Sequence, residues 1–249
     1  SNLVSKVRPW KHLKCGVVGL RTTSSISVIL WVMKLLNGSD LASYIKERQA
    51  RDARSLIQGS HITPRLAIIR TNPDPVVDSY MHLKQKYGDD IQVMVDVHTI
   101  NQKDALATIT ELNNDSSIHG IIVQIPLPDT TQTNEILNAV SASKDVDGLA
   151  AKTNFDPATP MAINWLLAGY NVNLPGKNIV IVGNGRLVGK PLSELWRASG
   201  LLVTVVDKKT NNLAEVAREA DILVCATGVP GLITADMVKS MKAGSVIVD

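Results

Sequence analysis

The sequence predicts an α/β protein of two domains, an N-terminal α/β domain followed by a doubly wound parallel sheet. Three observations carry this. In the second half of the 249 residues, short apolar runs at 179–182, 202–206, 221–225 and 245–248 alternate with helical stretches, the pattern of parallel strands joined by crossover helices. The first of these runs stops at Gly183, Asn184 and Gly185 and hands over to a helix through Gly189. Hydrophobic residues make up 45% of the chain, yet only Phe155, four Trp and four Tyr are aromatic. The cores must therefore be built from Ile, Val, Leu and Ala, as in α/β proteins.

Length allows two ordinary domains. Cys15 and Cys225 lie far apart and match no metal spacing, which points to a reducing compartment, no disulfide framework and no metal site. The formal net charge of +3 hides an asymmetry. Residues 1–36 hold Lys6, Arg8, Lys11, Lys14, Arg21 and Lys34 with no acid, leaving 20 basic against 23 acidic residues in the remainder. A nucleic-acid partner needs a basic face interleaved with aromatics, and nothing after residue 36 offers one.

Taken in order, residues 1–32 differ from everything after them: basic, rich in Ser and Thr, and ending in ISVILWV. That run is shorter than the roughly 20 residues a membrane span needs, so no membrane partner is expected. The stretch reads as an extension outside the fold, with Met33 as the natural start and a cytoplasmic location. The competing reading is a transit peptide, which would make the location mitochondrial. The first domain is expected over 33–150. Leu41, Tyr44, Ile45, Ala53 and Leu56 recur at helical spacing up to Gly59. RLAIIR at 65–70 is a strand, and Pro73 and Pro75 break the chain and start a second helix. Residues 91–100 are strand-like, 104–112 helical, and 119–128 an apolar strand ending in a proline-marked turn. Residues 133–140 form a short helix, and KDVDG at 144–148 closes the unit. The second domain, over 151–249, opens with a linking helix at 158–167.

A buried parallel strand that stops at glycines and opens a helix presents backbone N–H groups to an anion. Gly183 permits the tight turn, Gly185 lets a phosphate approach the backbone, and Gly189 lets the helix pack close. This reads as the pyrophosphate site of a Rossmann-like sheet, although GxGxxxG is one residue longer than the commonest spacing. The following strand ends in Asp207, a carboxylate placed to catch a ribose 2'-hydroxyl about 20 residues on. A tight strand–helix turn without a ligand is the plain alternative.

Candidate chemistry lies in the first domain. Tyr80 and Lys84 are four apart and share a helix face, whereas Lys86 turns away to solvent. Gln124 sits in an apolar strand, where an amide needs a partner or a ligand. Asp145 and Asp147 bracket a turn that ends at Gly148. Each also has a structural reading: Gln124 as a satisfied core amide, the acids as turn residues. The YxxxK spacing occurs in short-chain dehydrogenases too, but there the glycine loop precedes the pair, and here it follows by about a hundred residues.

The strings Tyr80-Met81-His82-Leu83-Lys84, Val123-Gln124-Ile125-Pro126-Leu127-Pro128 and Lys144-Asp145-Val146-Asp147-Gly148, with the turn from Gly183 to Pro191, resemble in order and spacing the bifunctional methylenetetrahydrofolate dehydrogenase/methenyltetrahydrofolate cyclohydrolase family. The resemblance runs from about Met33 to Asp249. It implies oxidation of 5,10-methylenetetrahydrofolate with NAD or NADP, then hydrolysis to 10-formyltetrahydrofolate, in a homodimer with the cleft between its two domains. It further implies that Lys84 is the acid/base of hydrolysis, that Tyr80 packs on the pterin, that Gln124 holds Lys84, and that Asp147 binds the amino-pyrimidine edge. The cofactor would be held by Gly183, Asn184, Gly185, Arg186, Gly189, Asp207 and Lys208. A lysine base near neutrality needs its pKa lowered by roughly three units from about 10.4, or about 4 kcal/mol. An uncharged neighbour such as Gln124 allows that, and an adjacent carboxylate opposes it.

The sequence departs from the family in three places. Many members have Gly-Arg-Ser in the loop, the Arg meeting the NADP 2'-phosphate, where this chain has Gly183-Asn184-Gly185 with Arg186 displaced. Many have His-Ser where this chain has Asp207-Lys208. An Asp there hydrogen-bonds a ribose hydroxyl and repels a phosphate, so NAD is expected over NADP, with Arg186, Lys208 and Lys209 still within reach of a phosphate. Past Asp249 the family continues with a Gly- and Pro-rich turn and a helix, so the second domain is expected to be truncated at its C-terminus. Two alternatives stand beside this reading: a two-domain dehydrogenase of another small substrate, such as a hydroxy acid or a shikimate-like compound, and a non-catalytic dinucleotide-binding remnant.

Overall fold

The structure, a computed structural model, describes residues 14–21 and 30–249 apart from 208 and 211. It divides into two compact units, Ala42–Ala158 and Thr159–Asp249, the latter together with the described residues up to Leu41. The contact boundary falls after the expected junction at 150–151. Residues just past the KDVDG turn fold back on it, with Asn154 N donating to Ala142 O at 3.1 Å and Thr153 Oγ1 to Asp145 O at 3.2 Å.

The first unit is built on a parallel three-stranded sheet in the order β4-β3-β5: β3 (Arg65–Arg70), β4 (Met94–Thr99) and β5 (Gly120–Val123). Helix α1 (Gly38–Ser60) leads into it, α2 (Pro75–Ile91) joins β3 to β4, α3 (Ala105–Asn114) joins β4 to β5, and α4 (Thr133–Asn138) follows. The alternation of RLAIIR decides which helix covers which face. Ile68 packs with Val77, Met81 and Tyr80 of α2, while Ala67 and Ile69 pack with Ala105, Ile109 and Leu112 of α3. The two crossovers therefore lie on opposite faces, and the chain reverses direction at β3. The carboxyl ends of β3 and β5 form a topological switch point, where such sheets hold their ligands.

Two element boundaries differ from the sequence expectation. The strand expected over 91–100 starts only at Met94, because α2 runs on to Ile91 and Gln92 then turns with φ 61°. The strand expected over 119–128 ends at Val123, because Pro126 and Pro128 have no N–H to donate. Gln124 thus stands just past the strand, although its backbone N still donates to Ile69 O at 2.9 Å.

In the second unit, β6 (Ile179–Val182), β7 (Val203–Val206), β8 (Ile222–Cys225) and β9 (Val246–Val248) pair in parallel, in the order β9-β8-β6-β7. All four residues of β6 are buried. Ile179 and Ile181 pack with Leu192 and Trp196 of α6 (Gly189–Ala198) and with Ile163, Leu166 and Leu167 of α5 (Ala158–Gly169). Val180 and Val182 face Leu213 and Ala217 of α7 (Leu213–Glu219), and α8 (Ala235–Ser240) precedes β9. Again successive crossovers lie on opposite faces, and the switch point falls at the carboxyl ends of β6 and β8. The expected Rossmann-like parallel sheet is present.

That sheet also carries antiparallel strands. β1 (Lys14–Arg21) pairs with both β9 and β2 (Leu30–Asn37). Residues 1–32 were expected outside the fold, whereas the described part of that stretch, 14–21 and 30–32, pairs into the sheet. β9 offers an edge to pair with, and Val17, Val18, Trp31 and Val32 are residues that favour strands. The remainder of 1–32 lies outside the described residues. Asn37 then starts α1: its Oδ1 accepts from Ser39 N at 3.1 Å, and its own N donates to the Tyr170 hydroxyl at 2.7 Å.

Candidate active site

Val77, Met81 and Lys84 recur at i, i+4 and i+7 along α2, the stripe that presses on the sheet. Val77 and Met81 are fully in the core; Lys84 continues their line and is drawn beneath the helix. Its Nζ donates to Gln124 Oε1 at 3.2 Å. The amide is itself oriented, since Gln124 Nε2 donates to Ile125 O at 3.0 Å. Tyr80 lies one turn earlier, half-buried against the Ile68 cluster, and burial raises its phenol pKa. Lys86 is exposed, as its position round the helix requires.

Burial lowers the Lys84 pKa, and the charge of Asp147 works against that lowering. Asp147 behaves as its mirror image: burial raises its pKa, the Lys84 charge lowers it, and Asp145 adds to the rise. In both groups burial outweighs attraction, so each is pushed toward its neutral form. A carboxylate near Lys84 opposes the lowering, as expected of such a neighbour, and desolvation still prevails. Lys84, Gln124 and Asp147 come together; Asp145 does something else. It is 3% exposed, and its Oδ2 accepts from Ala150 N at 2.9 Å. Lys144 Nζ donates to Leu112 O at 2.8 Å and Asp115 O at 2.7 Å, satisfying carbonyls at the end of α3. Gly148 has φ 65°, and a Cβ there would come within 2.7 Å of Phe155 O. Three residues of KDVDG build the turn, which leaves Asp147 for the site.

The sequence reading missed an ion pair beside this cluster. Arg70, at the end of β3, pairs with Asp78 in the first turn of α2. The signal available was a cation closing an otherwise apolar strand.

In the second unit the glycines divide their work. Gly183 has φ 105°, its N donates to Val206 O at 2.7 Å, and a Cβ would meet Ala226 O at 2.8 Å. At Gly189 a Cβ would stand 1.9 Å from Gly183 O, so the helix can start here only without a side chain. At Gly185 a Cβ would meet nothing within 4 Å. This is an open cradle over backbone, at the start of a helix whose N-cap, Val188, makes no side-chain cap. The N–H groups and positive end of such a helix favour an anion. Asn184, Gly185 and Arg186 are exposed. Asp207 ends β7, and its Oδ1 accepts from Lys209 N at 2.8 Å and from Thr210 Oγ1 at 3.4 Å. Lys208 lies outside the described residues. An open backbone turn at a helix start and a carboxylate at the end of the next strand are groups of the kind that hold the pyrophosphate and ribose of a dinucleotide.

A glycine turn feeding a helix at the switch point of one parallel sheet, and a desolvated lysine at the switch point of another, define a dinucleotide-dependent enzyme of the two-domain α/β class. Comparison with known proteins narrows this. The family model for the tetrahydrofolate dehydrogenase/cyclohydrolase catalytic domain matches residues 36–147, and that for the NAD(P)-binding domain of the same family matches 157–249. The bifunctional protein FolD of Campylobacter fetus is 36% identical over 230 residues, covering 87% of this chain and 80% of that protein. The crystal structure of the FolD methylenetetrahydrofolate dehydrogenase/cyclohydrolase from Campylobacter jejuni matches with a TM-score of 0.77 at 33% identity, over 81% of this chain and 76% of that one. The Trypanosoma brucei FolD, complexed with NADP cofactor and inhibitor, matches with a TM-score of 0.73 at 26% identity, over 78% and 72%. The chain belongs to the tetrahydrofolate dehydrogenase/cyclohydrolase family.

Proposed function

We propose that the protein oxidises 5,10-methylenetetrahydrofolate to the 5,10-methenyl form with a nicotinamide cofactor and hydrolyses that product to 10-formyltetrahydrofolate. The observation that carries the reading, given the family, is the desolvated Lys84 held by Gln124 beside Asp147. Tyr80 offers a flat face for the pterin, and Asp147 accepts hydrogen bonds from its amino-pyrimidine edge. The cofactor, when bound, supplies the hydride acceptor. Water then attacks the methenyl carbon and its proton passes to the neutral amine of Lys84. The carbon–N5 bond then breaks as that proton passes from Lys84 to N5, and the carbinol hydroxyl loses its remaining proton to solvent to become the C=O of the formyl group on N10, so one proton is released overall. Burial lowers the amine's pKa and so favours the neutral form that accepts the proton, the charge of Asp147 opposes that lowering, and the cationic methenyl substrate lowers it further.

Asn184, Gly185 and Arg186 take the pyrophosphate on the turn that Gly183 and Gly189 shape, with Asp207 at the adenosine ribose. Asp207 favours NAD, since a 2'-phosphate would meet its charge; the Trypanosoma brucei relative, by contrast, is complexed with NADP. We infer a homodimer from the family resemblance, and sedimentation of the full chain tests it. Among the described residues no helix is long and apolar enough to cross a membrane. The test is an absorbance assay for methenyl formation by the full chain with NAD and with NADP. Turnover with folate and a higher kcat/KM for NAD is expected. Cofactor binding without folate turnover would overturn the reading, and a preference for NADP would overturn the role of Asp207.

A further inference from the structure

Arg70 and Gln124 are neighbours on one face of the sheet. The ladder ends at Ile69↔Val123, Arg70 and Gln124 are the next residues on the two segments, Gln124 N donates to Ile69 O at 2.9 Å, and each stands two residues beyond one, Ile68 or Ile122, that faces α2. Each grips that helix at a different point. Gln124 holds Lys84, and Arg70 pairs with Asp78, six residues earlier and so about 9 Å back along the axis. The Arg70 side chain is only 14% exposed, against 46% for Asp78, so its charge is committed to the pair, because an enclosed guanidinium without a carboxylate is costly. Its Nε is likewise buried, with no protein partner.

Val77 and Met81 press α2 on the sheet, and two polar ties at different points along the helix fix its roll and slide more tightly than the Lys84–Gln124 tie alone. The Lys84–Gln124 tie is the one that chemistry disturbs each time the amine gains or loses a proton. We infer that Arg70, acting through Asp78, is a positioning residue that holds α2, and with it Lys84, in place for hydrolysis. This rests on the proposed role of Lys84, but it is tested apart from that role.

The experiment measures both activities of the full chain in Arg70→Met, Arg70→Lys, Asp78→Ala and the Arg70→Met/Asp78→Ala double variant, with Lys84→Met as reference. Misplacing a catalytic group by an ångström can cost up to about a hundredfold. Arg70→Met is therefore expected to lower kcat for hydrolysis about tenfold while hydride transfer at saturating folate falls much less. Asp78→Ala, on the more exposed partner, is expected to give the same split if Arg70→Met does not fold. Arg70→Lys should recover part of the loss. The double variant should be no worse than Arg70→Met alone, since the pair is broken once. Equal loss of both activities, as from a smaller folded fraction, or additive losses in the double variant, or no loss, would each overturn the inference. Retention of hydrolysis by Lys84→Met would instead remove Lys84 from the mechanism, a distinct result.

Discussion

Gly185 and Gly189 lie four residues apart in one turn, and alanine at each should fail in a different way. A methyl group at 189 would stand 1.9 Å from Gly183 O, 2.8 Å from Gly183 C and 3.2 Å from Asn184 Cα. Heavy atoms in ordinary contact are about 3.5 Å apart, so the start of α6 would have to retreat by roughly 1.5 Å. The obstacle is backbone and cannot swing aside. Overpacking of this kind costs about 1–3 kcal/mol, and a backbone clash belongs at the upper end. At about 2–4 °C per kcal/mol for a chain of this size, Gly189→Ala should melt about 6–12 °C below the parent. Because the retreat carries the helix start away from the turn, its cofactor KM should rise as well. Gly185→Ala meets nothing within 4 Å, so its stability should stay within about 0.5 kcal/mol of the parent. Its methyl group, however, fills the cradle assigned to the pyrophosphate, and the cofactor KM should rise about tenfold, or about 1.4 kcal/mol, with the folate KM unchanged. Circular-dichroism melting and initial rates at varied cofactor measure both effects. An unchanged cofactor KM in Gly185→Ala would remove the phosphate from this turn, and parental melting in Gly189→Ala would refute the packing argument.

Three further outcomes are expected. Lys84→Met should lower hydrolysis by about a hundred- to ten-thousandfold, the usual worth of a positioned acid/base group, with melting unchanged; stopped-flow decay of methenyl-folate measures it. Asp147→Asn removes the charge that raises the Lys84 pKa. Burial then acts on the lysine unopposed, so the rising limb of the pH–rate curve for hydrolysis should move to lower pH; movement to higher pH would show that the sign was misjudged. Asp207→Ser removes the carboxylate that opposes a 2'-phosphate, and the ratio of kcat/KM for NADP to that for NAD should rise; an unchanged ratio would place the choice elsewhere.

Where local pattern and tertiary structure agree, the sequence was readable. Ile179–Val182 stands as a strand at the expected residues because it is apolar throughout, buried on both faces and stopped by glycine. Helix periodicity puts Tyr80 and Lys84 on one face and the cost of an unpartnered amide singles out Gln124, while the pairing of Gln124 with Lys84 comes from the family resemblance. Other features depend on contacts that no local period encodes. Asp145 and Asp147 look alike in KDVDG, and only the amide of Ala150 distinguishes the acid that holds the turn. The field of Asp147 at Lys84 and the Arg70–Asp78 pair join different elements. The pairing of β1 with β9 joins opposite ends of the chain, whereas compositional contrast alone set the N-terminal stretch apart.

The division of labour inside KDVDG has a practical outcome for mutagenesis. Removing either acid should lower the yield of product, and a screen that scores product alone would not tell the two apart. Calorimetry separates them: the Asp145 variant gives up the anchor of an enclosed amide and should melt early, while the Asp147 variant should keep its heat resistance and show its defect only in the rate.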